Sequence, residues 1–251
     1  MNGIEFSAAQ IPWGRVALYL FLSTVVLGNI ATLVRARLNW ADGYSRKLNH
    51  VGIMLITLPL LAFLPDEQLL PSIMIGSIGL VAIYALSAVS VHPLVFGIVS
   101  GSLRRRDAPY SRFFFFLPLI SFNVTLTICA FFFPLEIVKV AFFTVALADG
   151  LAEPVGLRFG KSNSYEVKDL VWGQKNTKSI AGSAAVASVA FVVAYGMLVV
   201  AYGASAVTVV AAAIYALASA AIEAISPRGL DNMVLMASCP LILSGLIGVM
   251  I

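Results

Sequence analysis

The sequence predicts an all-α membrane protein, a polytopic bundle of about eight transmembrane helices. Hydrophobic residues make up 60% of the 251 positions and charged residues only 11%, whereas a soluble domain carries about a quarter charged residues. Apolar runs of about 20 residues, the length that crosses a bilayer, recur along the chain. They lie near residues 13–34, 48–64, 69–90, 113–133, 135–157, 179–202, 205–224 and 232–250. We therefore expect one integral membrane domain over residues 1–251, and not a soluble globule or a disordered chain.

The third apolar run continues as a tail over residues 91–103 that is too short to cross a bilayer by itself. His92 and Pro93 are expected to break the helix there, because proline lacks a backbone donor and clashes with the preceding turn. The tail therefore does not add a crossing to the predicted eight.

Basic residues predict the orientation of the chain. Nearly all of the 16 Lys and Arg residues follow the odd-numbered runs, within 35–47, 104–112 and 158–178 and at Arg228. Since cytoplasmic loops are rich in Lys and Arg, both termini are expected outside and these loops in the cytoplasm. The same bias explains the net charge of +4, so no nucleic-acid partner is expected. Without a recognisable signal or transit peptide, a prokaryotic cytoplasmic membrane is the expected location.

Two carboxylates border the fifth run. Asp149 and Glu153 are four residues apart, which places them on one helix face. Ionisable groups at a membrane span are costly and indicate function, and paired carboxylates suit Mg²⁺ shared with substrate phosphates. A proton or ion relay, or an ion pair with Arg158, is the alternative interpretation.

Further polar residues are predicted at the same cytoplasmic ends of helices. A helix start with Lys178, Ser179, Gly182 and Ser183 suits an anion, because its N–H groups and dipole attract negative charge; an ordinary cap by Ser179 is the alternative. Other candidates are Arg46, Lys47 and His50 before the second run, Glu223 ending the seventh, and Asp231 and Asn232 opening the eighth.

Together these clusters describe a site for a nucleotide triphosphate and its metal ion. The polar segment 161–178 is long enough to form a lid or to contact the base, since long loops in compact proteins are usually functional or disordered. Trp172 within it would stack on a base or anchor the loop at the membrane interface.

The ordered set of these residues resembles the CTP-dependent polyprenol kinase family, which includes phytol, farnesol and dolichol kinases and the CTP-dependent diacylglycerol kinase. The resemblance covers about residues 46–240. It is carried, in order, by Arg46-Lys47-x-x-His50, Asp149-Gly-Leu-Ala, Gly156, Arg158-Phe-Gly160-Lys161, Lys178-Ser179-x-x-Gly182-Ser183, Glu223 and Asp231-Asn232.

This resemblance implies transfer of the γ-phosphate of CTP to the hydroxyl of an isoprenoid alcohol that enters from the bilayer, with Mg²⁺ as cofactor. It implies that Asp149 is the essential acidic residue and that Asp231 and Asn232 contribute to the metal or the ribose; our hypothesis assigns Asp149 and Asp231 to Mg²⁺. The phosphates and nucleotide would contact Arg46, Lys47, Arg158, Lys161, Lys178, Ser179, Gly182, Ser183 and Asn232. The base that accepts the hydroxyl proton would be Glu153, His50 or Glu223.

The chain departs from the family pattern at Ala148, Ala181 and Leu230, where glycine or an acidic residue is usual. These departures bear on the donor nucleotide and the metal ligands more than on the reaction class. A phosphatidate cytidylyltransferase would use the same nucleotide, but its closing Asp-Arg-x-Asp signature is absent. A transporter would gather its polar groups at mid-membrane, and not near one face.

Overall fold

The structure is a computed structural model that describes residues 11–250, and it divides into two compact units, residues 1–108 and 109–251. Among the described residues, six helices are long and apolar enough to cross a membrane. The chain is therefore an α-helical, polytopic membrane protein, as the hydropathy pattern predicts. The six lie at Trp13–Leu38, Asp66–Val89, Ser111–Phe132, Ile180–Tyr202, Ala206–Ile225 and Asp231–Met250.

The first unit contains five helices. Helix α1 (Trp13–Leu20) runs through a first π segment (Phe21–Val26) into α2 (Leu27–Leu38), and α3 (Asp42–Phe63), α4 (Asp66–Val89) and α5 (Pro93–Ser100) follow. Helix α4 ends before His92 and α5 begins at Pro93, so the predicted break is confirmed. A short 3-10 turn (Arg105–Asp107) ends the unit.

Helices α2 and α5 of the first unit approach each other at small residues. A side chain at Gly28 would collide with the backbone of Ile98, and one at Gly101 would lie 2.6 Å from the backbone nitrogen of Thr32. The Thr32 hydroxyl donates to the Gly97 carbonyl at 2.6 Å and accepts from the Gly101 N–H at 2.8 Å. Close packing and direct hydrogen bonds thus join the two helices.

The second unit contains six helices and a β-hairpin. Helix α6 (Ser111–Phe132) precedes α7 (Leu135–Phe143), a second π segment (Thr144–Asp149) and α8 (Gly150–Phe159). Strands β1 (Ser164–Lys168) and β2 (Lys175–Ser179) form an antiparallel hairpin, and α9 (Ile180–Tyr202), α10 (Ala206–Ile225) and α11 (Asp231–Met250) complete the chain. The segment predicted as a long polar loop is therefore mostly a hairpin.

The contact of α9 with α8 and α10 is built mainly from small residues. Helix α9 packs against α8, α10 and the second π segment, with Ala148, Ala152, Val186 and Ala220 buried between them. Alanine at such contacts lets membrane helices approach closely. This packing brings Asp149, the last residue of the π segment, into the buried centre of three helices.

Candidate functional site

The first turn of α9 lies against the end of α8. Ser179 caps α9 by accepting a hydrogen bond from the Gly182 N–H at 3.1 Å, which confirms the predicted cap. Its side chain is surrounded by glycines, because a Cβ at Gly160 would lie 2.5 Å from the Ser179 hydroxyl and one at Gly156 would lie 2.9 Å from it. Only residues without a side chain fit at these positions of α8.

The N–H groups that open α9 already have partners within the chain. Asn163 accepts from the Ile180 N–H with its carbonyl at 3.0 Å and from the Ala181 N–H with its side chain at 3.3 Å. With the Gly182 N–H on Ser179, three backbone donors of the helix start are engaged. An anion at this end would therefore contact side chains such as Lys178, together with the dipole of α9.

Lys178 and Glu223 form an ion pair beside this helix start. The Lys178 ammonium donates to the Glu223 carboxylate and, at 3.2 Å, to the Glu223 carbonyl. Glu223 is only 4% exposed. Burial alone would lower the pKa of Lys178, but the negative charges of Glu223, Asp231 and Asp149 outweigh it and hold that pKa above its usual value.

Three carboxylates thus surround one lysine. Asp149 and Asp231 also interact electrostatically with Glu223, and Asp149 is 2% exposed. Buried charges are costly unless they are paired. The carboxylate oxygens of this cluster are ligands of the kind that a hard divalent cation takes.

The residues at the cluster that could hold a metal ion are the carboxylates of Asp149 and Asp231. Within residues 11–250, no three His, Cys, Asp or Glu side chains converge in a metal-holding arrangement. Mg²⁺ is, however, commonly held by one or two carboxylates with waters and substrate phosphates, which Asp149 and Asp231 could supply. Beside Asp231, the buried side-chain oxygen of Asn232 has no hydrogen-bond partner, so a neutral oxygen acceptor is also present.

The hairpin places Lys178 through a regular alternation of its side chains. Tyr165 pairs with Lys178 across the strands and Val167 with Asn176, and all four are partly buried on one face. On that face the Tyr165 hydroxyl lies 2.7 Å from the Ser183 hydroxyl of α9. The pairing of the strands and the contact with α9 therefore hold Lys178 beside Glu223.

The carboxylate of Asp169 stabilises the turn between β1 and β2 through four hydrogen bonds. Asp169 was not among the predicted site residues. One carboxylate oxygen accepts from the N–H groups of Val171 and Trp172, and the other accepts from the Asn176 amide and the Arg228 N–H. Burial alone would raise the pKa of Asp169, but these hydrogen bonds hold it below its usual value. The sequence did contain a signal for this role, because an aspartate shortly before a glycine in a polar segment favours a turn.

Trp172 anchors the hairpin to the helices of its unit. Its indole N–H donates to the Arg228 carbonyl at 2.9 Å, and its ring meets Phe113 and Phe114 edge-on, with centroids 6.0 and 5.8 Å away. The Arg228 guanidinium lies over the Phe114 ring at 4.7 Å. Of the two predicted roles, these contacts favour the anchor over stacking on a base.

The other predicted residues fall into two groups. Arg158 and Lys161 are exposed at and just beyond the end of α8, and Glu153 is half-buried one turn after Asp149. Arg46, Lys47 and His50 lie on α3 of the first unit, where Lys47 is buried and the other two are partly buried. Among the predicted residues of the second unit, the structure brings together Asp149, Lys178, Glu223 and Asp231, whose charges act on one another.

Comparisons of the chain with protein-family models, curated proteins and solved structures give no match.

Proposed function

We propose that this protein is a membrane lipid kinase that transfers the γ-phosphate of CTP to the hydroxyl of an isoprenoid alcohol of the phytol, geranylgeraniol or polyprenol type. The observation that carries the proposal is the cluster of Asp149, Lys178, Glu223 and Asp231 in a chain that is otherwise so apolar. Phosphoryl transfer depends mainly on positioning and on neutralising phosphate charge. The ordered resemblance of the sequence to the CTP-dependent polyprenol kinases selects the donor and the acceptor.

The proposal includes eight membrane crossings. Besides the six apolar helices, α3 (Asp42–Phe63) is 22 residues long, and α7, the second π segment and α8 form one continuous helical stretch from Leu135 to Phe159. Both match predicted spans. With eight crossings and the Lys and Arg bias of alternate loops, both termini lie outside and the cluster faces the cytoplasm of a prokaryotic cell, where nucleotides are available.

In the proposed reaction, Lys178 binds the phosphates of CTP. Its ammonium group is held by Glu223 at the positive end of α9, which is where an anionic substrate is favoured. Glu223 positions Lys178, and Ser179 acts through its cap on α9, since its hydroxyl already accepts the Gly182 N–H.

Asp149 and Asp231 would hold Mg²⁺, which neutralises charge on the transferring phosphoryl group when bound. The hydroxyl oxygen of the lipid forms a bond to the γ-phosphorus, the bond from that phosphorus to the bridging oxygen breaks, and CDP leaves. We assign the proton of the hydroxyl to the carboxylate of Glu153. This residue follows Asp149 by one turn on α8.

The experiment uses the purified full-length protein in lipid with Mg²⁺ and CTP labelled at either the γ- or the α-phosphate. The acceptors are phytol, geranylgeraniol, farnesol, a long polyprenol, diacylglycerol and phosphatidate. We expect label from the γ-position in an isoprenoid alcohol. Label from the α-position in phosphatidate would instead establish a cytidylyltransferase. An ion flux with no transfer to any acceptor would establish a transporter.

Asp149→Asn supplies the critical variant, because it keeps the shape of the side chain and removes its charge. We expect transfer to fall by about 10³-fold, the scale of losing a group that acts in the transition state. Asp66→Asn, in the first turn of α4, is the matched control and should keep full activity. Substantial activity in a folded Asp149→Asn protein would refute the assignment.

A further inference from the structure

The end of the hairpin, residues 169–174, exposes apolar side chains that no described contact covers. Leu170 is 78% exposed and Val171 53% exposed, and Trp172 follows directly. Exposed neighbouring apolar groups mark a surface that contacts a partner or a membrane. We call residues 169–174 the hairpin tip.

The position of the tip is fixed relative to a membrane-spanning helix of its own unit. Trp172 contacts Phe113 and Phe114, the third and fourth residues of α6, which begins at Ser111. At about 1.5 Å per residue, these rings lie within roughly 5 Å of the helix start. Trp172 therefore lies at the level where a spanning helix enters the bilayer, the depth at which tryptophan is enriched.

The tip also continues the lipid-facing surface of α6. Five of the exposed apolar residues of this helix recur at intervals of seven, four, four and three, which places them along one side. They are Phe113, Ile120, Val124, Ile128 and Phe131. On a spanning helix, an exposed apolar stripe contacts lipid tails. Because Trp172 packs on Phe113 at the end of the stripe, Val171 and Leu170 extend the same surface.

Charges around the tip complement an anionic membrane surface. Lys168 and Lys175 are exposed partners at the ends of the two strands, and Arg112 is exposed beside Phe113. Glu166 pairs with Lys175 at 2.7 Å, so the group remains net positive. Basic residues near the bilayer are attracted to anionic headgroups, and an apolar tip with basic flanks is the pattern of an interfacial anchor.

We propose that the hairpin tip inserts Leu170 and Val171 into the headgroup–acyl boundary of the bilayer, beside the start of α6. The occupant of this surface is the lipid of the membrane in which the helices lie. Asp169 holds the tip in the inserting conformation through its bonds to Val171, Trp172 and Arg228. The insertion is independent of the proposed reaction.

The test measures the depth of single spin labels in nanodiscs of phosphatidylcholine and phosphatidylglycerol. The buried cysteines Cys129 and Cys239 are replaced by alanine, and Leu170→Cys or Val171→Cys carries the label. Thr177→Cys is the matched control, since Thr177 is exposed on the face of the hairpin opposite Lys178. Collisions with apolar oxygen and with a polar nickel chelate are compared.

We expect oxygen to relax the labels at Leu170 and Val171 several-fold more than the nickel chelate does, and the reverse at Thr177. Nickel accessibility at Leu170 equal to that at Thr177 would place the tip in water and overturn the proposal. Protection from both reagents would mean that protein, such as a second copy of the chain, covers the tip, and would overturn it equally. These accessibility measurements require no enzymatic turnover, so their outcome is independent of the test of the kinase.

Discussion

The two units of the molecule each contain a network of charged side chains, but the networks differ in the charges that they bring together. In the first unit, Arg35 forms a 2.7 Å ion pair with Asp42 and donates to the carbonyls of Ser100 and Leu103. Asp42 also accepts the Arg105 N–H at 2.6 Å. This network contains one charge of each sign and four direct contacts that link helix ends, which is the arrangement expected of a structural tie.

In the second unit, one lysine lies among three carboxylates. Under the proposed function, the second network binds the nucleotide and the metal ion, whereas the first holds helix ends together. Changes to the second network should reduce both stability and activity, whereas changes to the first should reduce stability alone.

The largest effect on stability is expected from Lys178→Met. Removing the ammonium leaves Glu223 buried without its partner, a change that costs about 3 kcal/mol in comparable pairs. The variant should lower the unfolding midpoint in detergent and abolish phosphate transfer. The double variant Lys178→Met/Glu223→Leu should recover most of the stability and none of the activity.

Lys139→Met is the matched control, because Lys139 pairs with Glu136 at 2.9 Å in an exposed i,i+3 arrangement. Such surface pairs contribute less than about 1 kcal/mol. Equal losses from Lys178→Met and Lys139→Met would remove the distinction between the buried cluster and an ordinary surface pair.

In the first unit, Arg35→Met should reduce stability by about 2 kcal/mol, since hydrogen bonds to a charged group contribute on that scale. Activity per folded molecule should stay within about twofold of the parent, because this network carries no excess charge. Arg37→Met, at an exposed position in the same last turn of α2, controls for the loss of a positive charge. A selective loss of activity in Arg35→Met would contradict a purely structural role.

A smaller effect is expected from Gly160→Ala. The added Cβ would collide with Ser179 and with the Gly156 carbonyl, and crowding of this kind costs about 1–2 kcal/mol. Because the collision displaces Ser179 and hence the start of α9, the KM for CTP should rise as the unfolding midpoint falls. Gly196→Ala, which meets nothing within 4 Å, should leave both quantities unchanged or raise stability slightly.

The smallest effect is expected from Asp169→Asn, at about 1 kcal/mol, because the amide oxygen replaces only part of the hydrogen bonding of the carboxylate. The pKa of Asp169 is lowered in the folded protein. Its contribution is therefore complete above its unfolded pKa of about 4 and is lost as the pH falls through the folded pKa.

Fluorescence of Trp172, in a background with Trp13→Phe and Trp40→Phe, would follow undocking of the hairpin between pH 7 and pH 2. The parent should undock on acidification, and Asp169→Asn should lack that part of the transition. Glu166→Gln, on the exposed face of the hairpin, is the control and should behave as the parent. Identical acid transitions in all three proteins would show that the carboxylate of Asp169 does not hold the hairpin in its docked position.

Hydropathy predicted the six apolar helices because a spanning helix carries about 20 apolar residues. Local chemistry predicted the break before Pro93 and the cap by Ser179. The hairpin was missed, since its strands are five residues long and mostly polar. The pairing of Lys178 with Glu223, 45 positions apart, and the bond from the Arg228 N–H to Asp169 arise from tertiary packing, which no local pattern encodes.

The second π segment affects which mutations the protein can tolerate. A π turn carries an extra residue compared with an α-helix, so α8 is rotated in helical phase relative to α7. Asp149 lies at the junction of the two phases. Deleting one residue from the segment would turn everything on one side of it by about 100°, and would swing the carboxylate away from Lys178. Single-residue deletions between Thr144 and Asp149 should therefore be less tolerated than substitutions there.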